Sequence, residues 1–340
     1  MPYRLLFLAA AALTSAGIVL AVVPAWVRAA KERGLVGFDM NKPGRPRVAE
    51  AGGVWAVIGA VFGLFVLEAL HRYVLDEFYY PVELFALVAM LLLSAFLGFM
   101  DDILGWKRGL PRWQRVVFMA PIALPLVVIK AGKSRMALPL LGVVDLGMLY
   151  PLVAVPLGVL GAANAFNMIA GLNGLEAGMA EVLLVGAALY AHIHHVAFVP
   201  EAAAVMASAV AAFLYYNWYP ARVFPGNAFT YSVGAYYAAL AIIGNMEKFA
   251  LAAFAPYFAE FALFLRGLAH GVYKENFGRP QEDGSLLPPY DRAYSLTHAA
   301  MMAAAKLWGR ATERNTVALL LAGEALWVAT LLLLALHGAL

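Results

Sequence analysis

Two adjacent carboxylates, Asp101 and Asp102, close an apolar run that begins near Val82. At the edge of an apolar phase such a pair repels itself and resists desolvation. A divalent cation or a basic cluster relieves both penalties. Mg²⁺ prefers carboxylate oxygens and usually keeps several waters together with substrate phosphates. Lys107, Arg108 and Arg112 follow closely, and their charge suits a phosphate. A solvated helix end with a basic flank would carry the same residues, so the pair alone leaves both readings open.

A second polar stretch runs Asn164-Ala-Phe-Asn167-Met-Ile-Ala-Gly171-Leu-Asn173-Gly174-Leu-Glu176. Asn164 and Asn167 are three apart and share one face of a helix. Asn173-Gly174 signals a turn, and Glu176 opens the next apolar run, where a carboxylate suits a helix N-terminus. The stretch holds no Lys or Arg, so charge topology does not explain its polarity. Amides and one acid suit sugar hydroxyls, a uracil edge or a metal; a capped helix pair with amide bonds between helices is the plainer account. A longer stretch, about 266–315, carries Phe277-Gly-Arg279-Pro280 and the histidines His270 and His298. His192-Ile-His194-His195 looks like a metal cluster but falls on the opposite side from the other polar groups.

What positions these groups follows from composition. Of 340 residues 64% are hydrophobic and 13% charged, against roughly 45–50% and 25% in soluble domains. Mean hydropathy is +0.77. A soluble enzyme, a disordered chain and, with no cysteine, a disulfide scaffold or thiolate site are excluded. The expected fold class is all-α, a polytopic membrane bundle forming one domain over 1–340, with 266–315 as an extended loop subdomain. Ten runs of spanning character lie near 5–27, 53–70, 82–100, 116–129, 146–163, 178–198, 202–216, 229–246, 249–265 and 316–336. The loops after odd-numbered runs hold 18 of the 24 Lys and Arg residues. That bias puts those loops in the cytoplasm and, with ten spans, both termini outside. Every polar stretch above except the His192 cluster falls on that face. The bottom-up reading is a membrane enzyme that joins a water-soluble phosphate-bearing substrate to a membrane-embedded one; nothing points to nucleic acid.

At these residues the chain resembles the polyprenyl-phosphate N-acetylhexosamine-1-phosphate transferases, most of all the archaeal and eukaryotic branch acting on UDP-GlcNAc and dolichyl phosphate. The resemblance rests on Gly37-Phe-Asp39-Met-Asn-Lys42 with Glu50, on Asp101-Asp102-Ile-Leu, on the 164–178 string, on Asn217-Trp-Tyr-Pro220 and on Glu313-Arg-Asn315. It implies transfer of a sugar-1-phosphate from UDP-GlcNAc or a related UDP-sugar to dolichyl or polyprenyl phosphate, with release of UMP, as the first step of lipid-linked oligosaccharide synthesis for N-glycosylation. It implies Mg²⁺ or Mn²⁺. By position in the motifs, Asp101, Asp102 and Lys42 are expected to be catalytic, and Asn167 and Asn227 to be metal ligands. Glu50, Lys107, Asn164, Asn173, Glu176 and Arg279 are expected to hold substrate. An archaeal cell membrane is the expected location, or the endoplasmic reticulum in a eukaryote; a homodimer stays open.

The chain departs from the family pattern where Asn227 stands in place of the usual Asp, where no Asn follows Asp101-Asp102, and where the basic motif of the long loop is reduced to Phe277-Gly-Arg279-Pro. Two other readings compete: a secondary transporter, for which Glu68, Glu181, Glu260 and Glu324 inside apolar runs would matter, and an inactive scaffold relative.

Overall fold

The computed structural model describes residues 2–104, 119–138 and 142–338. Lys107 and the start of the expected 116–129 run lie outside them. Long apolar runs become helices because a helix satisfies its own backbone groups where water is absent. The first three are α1 (Pro2–Glu32), α2 (Val54–Leu75) and α3 (Pro81–Leu104), with the antiparallel strands β1 (Val36–Phe38) and β2 (Arg47–Ala49) between α1 and α2. A 3₁₀ turn leads into the short α4 (Leu124–Val128), followed by the hairpin β3 (Arg135–Leu138) and β4 (Gly142–Asp145). A π-turn opens α5 (Val155–Met168), and α6 (Leu175–Ile193), α7 (Val199–Asn217) and α8 (Gly226–Ile243) follow. The next span is broken into α9 (Glu247–Ala253) and α10 (Ala255–Ala269), bent by 52°. Beyond it come the two-residue strands β5 (Arg279–Pro280) and β6 (Leu286–Leu287), then α11 (Leu296–Trp308) and α12 (Glu313–Leu336).

Among the described residues seven helices are long and apolar enough to cross a membrane, or eight when the bent pair counts as one span. The chain is a polytopic helical bundle. The other two expected spans are 116–129, described only from residue 119, and α8. The latter is the bundle's central helix, buried without interruption from Ala228 to Ile242. A helix walled in by protein has no need of a lipid-facing apolar surface, so Ser232, Thr230 and three tyrosines sit within it.

α8 lies between α3 on one side and α5 on the other. Small residues let these backbones approach closely. Gly98 of α3 rests on the Asn227–Ala228 backbone, and Gly234 of α8 rests on Ala162 and Ala163 of α5. Ser94 and Ser232 share a buried hydrogen bond of 3.0 Å between α3 and α8. The C-terminal ends of α3 and α5 and the N-terminal end of α8 therefore meet at one end of the bundle.

Candidate active site

Asp101 and Asp102 sit on the last turn of α3, against the first turn of α8. The Asp102 carboxylate accepts hydrogen bonds from the backbone N–H groups of Asn227 (2.7 Å) and Ala228 (3.2 Å). α8 has no cap from its own side chains, so an acid on another helix supplies it. The favourable field at a helix N-terminus adds to these bonds. Gly226 makes the contact possible. Its φ is +71°, and a Cβ there would collide with the Asp102 carboxylate. Asp101 is buried and accepts from Asn227 Nδ2 (3.1 Å) and from the Tyr231 hydroxyl (3.4 Å). One turn along α8, the Thr230 hydroxyl donates to Asn167 Oδ1 on α5 at 2.8 Å. Three helices thus converge on one polar cluster of Asp101, Asp102, Asn227, Thr230 and Asn167.

Lys42 belongs to a second cluster. Its ammonium pairs with Asp39, donates to Asn173 Oδ1 (2.7 Å) and to Glu313 Oε2 (3.0 Å), and stands over the Tyr219 ring at 4.6 Å. Asn173 is a hub: its backbone N–H donates to Glu313 Oε1 (2.7 Å), its amide to Asp39 (3.2 Å), and its carbonyl oxygen also accepts from Ala221 (2.8 Å). The Glu313-Arg-Asn315 motif serves as both clamp and helix cap there, because Thr312 and Asn315 form a capping box while Glu313 reaches Lys42. This cluster joins the first loop, the turn before α6, the Tyr219–Ala221 segment and the start of α12.

Glu50 and Glu176 lie between these groups. Glu50 is partly buried on the loop after β2, and Gly37 leaves the space its carboxyl fills. Burial, then the charge of Asp102, push its pKa up to about 8. Glu176 is buried; Oε1 accepts from the Gly171 N–H (3.1 Å), and Oε2 has no partner among the described residues. A buried acceptor without a donor is costly, so this oxygen is open to a donor from outside the chain.

Asn164 faces elsewhere. Its amide donates to Leu160 O at 2.8 Å, and it lines an apolar cavity of about 480 Å³ between α5, α8 and α9–α10. Leu157, Tyr237, Phe254, Phe258 and Phe261 form much of the wall, and Met168 shares it. Arg279 does not join the site either: its guanidinium donates to Pro289 O (2.7 Å). His298 is fully buried, accepting from Tyr294 N and donating to Glu275 O (2.7 Å). Burial lowers its pKa, which leaves a neutral structural imidazole. His270 is exposed, with Nδ1 on Arg266 O. Among the described residues, no group of three or more Asp, Glu or His side chains is arranged to hold a metal; this includes His192, His194 and His195. Three of the four acids inside apolar runs are engaged: Glu68 accepts from Tyr79 N, Glu324 from the Tyr257 hydroxyl, and Glu260 pairs with Lys274, whereas Oε2 of Glu181 has no partner among the described residues.

Several members of the site were missed in the sequence. Thr230 carries a legible signal, since it stands three residues after Asn227 and shares its helix face. Asp39 lies within a motif already quoted. Asn41 lies there too, although its partners Gly171 O and Gly278 N are far away in the chain.

The donor set fits a hard divalent cation. Two adjacent carboxylates supply charge, and the side chains of Asn167, Asn227 and Thr230 bring neutral oxygens to the same cluster. Asn227 turns its nitrogen toward Asp101, so presenting oxygen to a cation requires its amide to rotate.

Comparison with known proteins places this geometry. A profile described as glycosyl transferase family 4 matches residues 84–245. A Saccharolobus solfataricus protein that carries, provisionally, the name UDP-N-acetylglucosamine–dolichyl-phosphate N-acetylglucosaminephosphotransferase is 34% identical over 310 residues, 90% of each chain. The chain belongs to glycosyl transferase family 4. A Dictyostelium discoideum protein bearing that enzyme name outright is 26% identical over 279 residues, 71% of this chain and 67% of its own. A phospho-N-acetylmuramoyl-pentapeptide-transferase of Desulforudis audaxviator is 29% identical over 227 residues, 62% of this chain and 66% of its own. The family profile spans α3 through α8 and so takes in Asp101, Asp102, Asn167 and Asn227.

Proposed function

We propose that this chain transfers GlcNAc-1-phosphate from UDP-GlcNAc to a dolichyl or polyprenyl phosphate and releases UMP. The observation that carries the reading is a shared helix. α5 brings Asn167 to the polar cluster with Asp101, Asp102 and Asn227, while Asn164 and Met168 of the same helix line the apolar cavity. A reaction between a nucleotide sugar and a lipid phosphate needs those two environments side by side. The Saccharolobus and Dictyostelium relatives support the substrate pair through their names.

In this reaction an oxygen of the lipid phosphate bonds to the sugar-proximal phosphorus. The bond between that phosphorus and the bridging oxygen breaks, and UMP departs with the bridging oxygen. No covalent enzyme intermediate is needed; positioning and charge stabilisation carry the rate. Asp101, Asp102, Asn167 and Asn227 would hold Mg²⁺, which when bound supplies charge neutralisation on the diphosphate. Asp102 also keeps the first turn of α8 in place. Lys42 and Arg279 are already engaged by the protein, so their part is to hold loops in register. Glu176, with its unpartnered oxygen, faces the substrate as an acceptor. The reading includes ten spans, outward termini and a cytoplasmic reaction face in an archaeal cell membrane.

The test is UMP release by purified protein given Mg²⁺, dolichyl phosphate and a panel of UDP-sugars. Asp102→Asn is expected to abolish turnover while leaving the fold intact, because an Asn oxygen still caps α8 at a cost of ~1 kcal/mol or less. Unchanged turnover in that variant, or release with no preference for UDP-GlcNAc, would overturn the assignment. Substrate crossing a vesicle membrane without UMP release would identify a transporter instead.

A further inference from the structure

The segment 272–278 forms a strap across the end of α5, and it is tied down at almost every residue. Lys274 pairs with Glu260 of α10; the carboxylate is fully buried and the lysine side chain is 9% exposed. The other oxygen of Glu260 accepts from Ser295 Oγ (3.0 Å) and Leu296 N (2.7 Å) at the start of α11. Lys274 also donates to Met168 O at 3.4 Å. Asn276 donates to Met168 O (2.8 Å) and Ala170 O (2.6 Å), and its own carbonyl accepts from Thr297. Asn41 completes the set, donating to Gly171 O (2.7 Å) and accepting from Gly278 N (2.9 Å).

The last carbonyls of a helix have no partner within it. Here those just past Asn167 are captured by side chains of the strap and the first loop. Met168 makes this capture consequential. Its carbonyl is held by Lys274 and Asn276, while the residue lines the apolar cavity opposite Phe258 and Phe261 of α10. Glu260, on α10, and the carbonyls at the end of α5 thus belong to two elements that both line this cavity. A buried ion pair has little net value for stability compared with an apolar replacement, yet loss of one partner leaves a charge stranded. A buried Lys–Glu pair that also captures backbone carbonyls therefore fits a role in specifying geometry.

We propose that Glu260, Lys274 and Asn276 are positioning residues for the lipid substrate: they fix the separation of α10 from the end of α5, and with it the shape of the apolar cavity. The proposal rests on the functional reading above for the identity of the occupant. The cavity walls contact the lipid and not the nucleotide, so the strap acts selectively on lipid binding.

Two readouts test this on the full-length, detergent-solubilised protein. In steady-state UMP release, Lys274→Met and Asn276→Ala are expected to raise KM for dolichyl phosphate by about tenfold or more while KM for UDP-GlcNAc stays within about twofold, since small displacements near a reacting centre have large effects. Lys274→Arg, which keeps the charge, restores the lipid KM. Equal change in both constants, or loss of thermal stability with both constants unaltered, overturns the proposal. Hydrogen exchange of the substrate-free protein gives an answer independent of turnover. The Gly171 and Asn173 amides, bonded to Glu176 and Glu313, lose protection in both variants while amides of α1 do not; retained protection overturns the proposal. Should the unaltered chain release no UMP, the functional reading fails by itself, and hydrogen exchange still decides whether the strap fixes the end of α5.

Discussion

Gly98→Ala isolates the contact on which the Asp101–Asp102 pair depends. Gly98 lies one turn before the pair, where α3 crosses the start of α8. A Cβ at this position would stand 2.5 Å from the Ala228 Cα and the Asn227 carbonyl carbon. Non-bonded carbons settle at about 3.5–4.0 Å, so the two helices must part by roughly 1 Å. The bond from Asn227 N to Asp102 is 2.7 Å. The same displacement carries it beyond the ~3.2 Å limit of an effective hydrogen bond. Overpacking of this kind costs about 1–3 kcal/mol, and a misplacement of ~1 Å at a reacting centre costs on the order of 100-fold in rate. UMP release with UDP-GlcNAc, dolichyl phosphate and Mg²⁺ measures the second effect, and thermal unfolding in detergent the first. Turnover should fall by about two orders of magnitude while the melting temperature drops only modestly. Gly17→Ala is the control, because a Cβ there meets nothing within 4 Å. Full turnover in Gly98→Ala would show that the α3–α8 approach does not hold the carboxylates in place, and the site as described would be wrong.

Lys42→Met removes the cation between Asp39 and Glu313, leaving two buried carboxylates face to face; unfolding should be easier by about 3–5 kcal/mol, and an unshifted thermal transition would rule out the clamp. The Glu50 carboxyl has a folded-state pKa of about 8 against an ordinary 4.5. The unfolded chain therefore releases this proton first, and its contribution makes metal-free stability decline as pH rises from about 4.5 to about 8. Glu50→Gln should flatten that decline, and thermal melts across the range check it. Asn227→Asp adds a charge to the candidate cation site and should lower the Mg²⁺ concentration needed for half-maximal turnover; an identical Mg²⁺ titration would remove residue 227 from the ligand set.

The parts of the site that could be read from the sequence are those written in short spacings. Asp101 beside Asp102, and Asn164 three residues before Asn167, announce themselves, and the structure brings Asp101, Asp102, Asn167 and Asn227 together. The same spacing misleads at Asn164, which shares a helix with Asn167 yet lines the apolar cavity. Lys42 reads as a free cation until its partner Glu313, 271 residues later, is known. No local pattern encodes a pairing over that distance. The bundle was legible from apolar runs, and the count of spans was less so. Hydropathy registers contact with lipid, whereas α8 is enclosed by protein and carries hydroxyls that its neighbours satisfy. Arg279 shows the converse: a basic residue in a suggestive loop is occupied by the carbonyl of Pro289.

The capping of α8 by Asp102 bears on how the molecule is made. Helices enter the bilayer in chain order, and the α8 segment emerges more than a hundred residues after the acid that completes it. Until α3 docks, the first turn of α8 has bare amides and Asp102 has nothing to bind. Completion of the candidate site and the docking of α8 on α3 are thus one event, so a half-assembled chain carries no partly formed copy of that site.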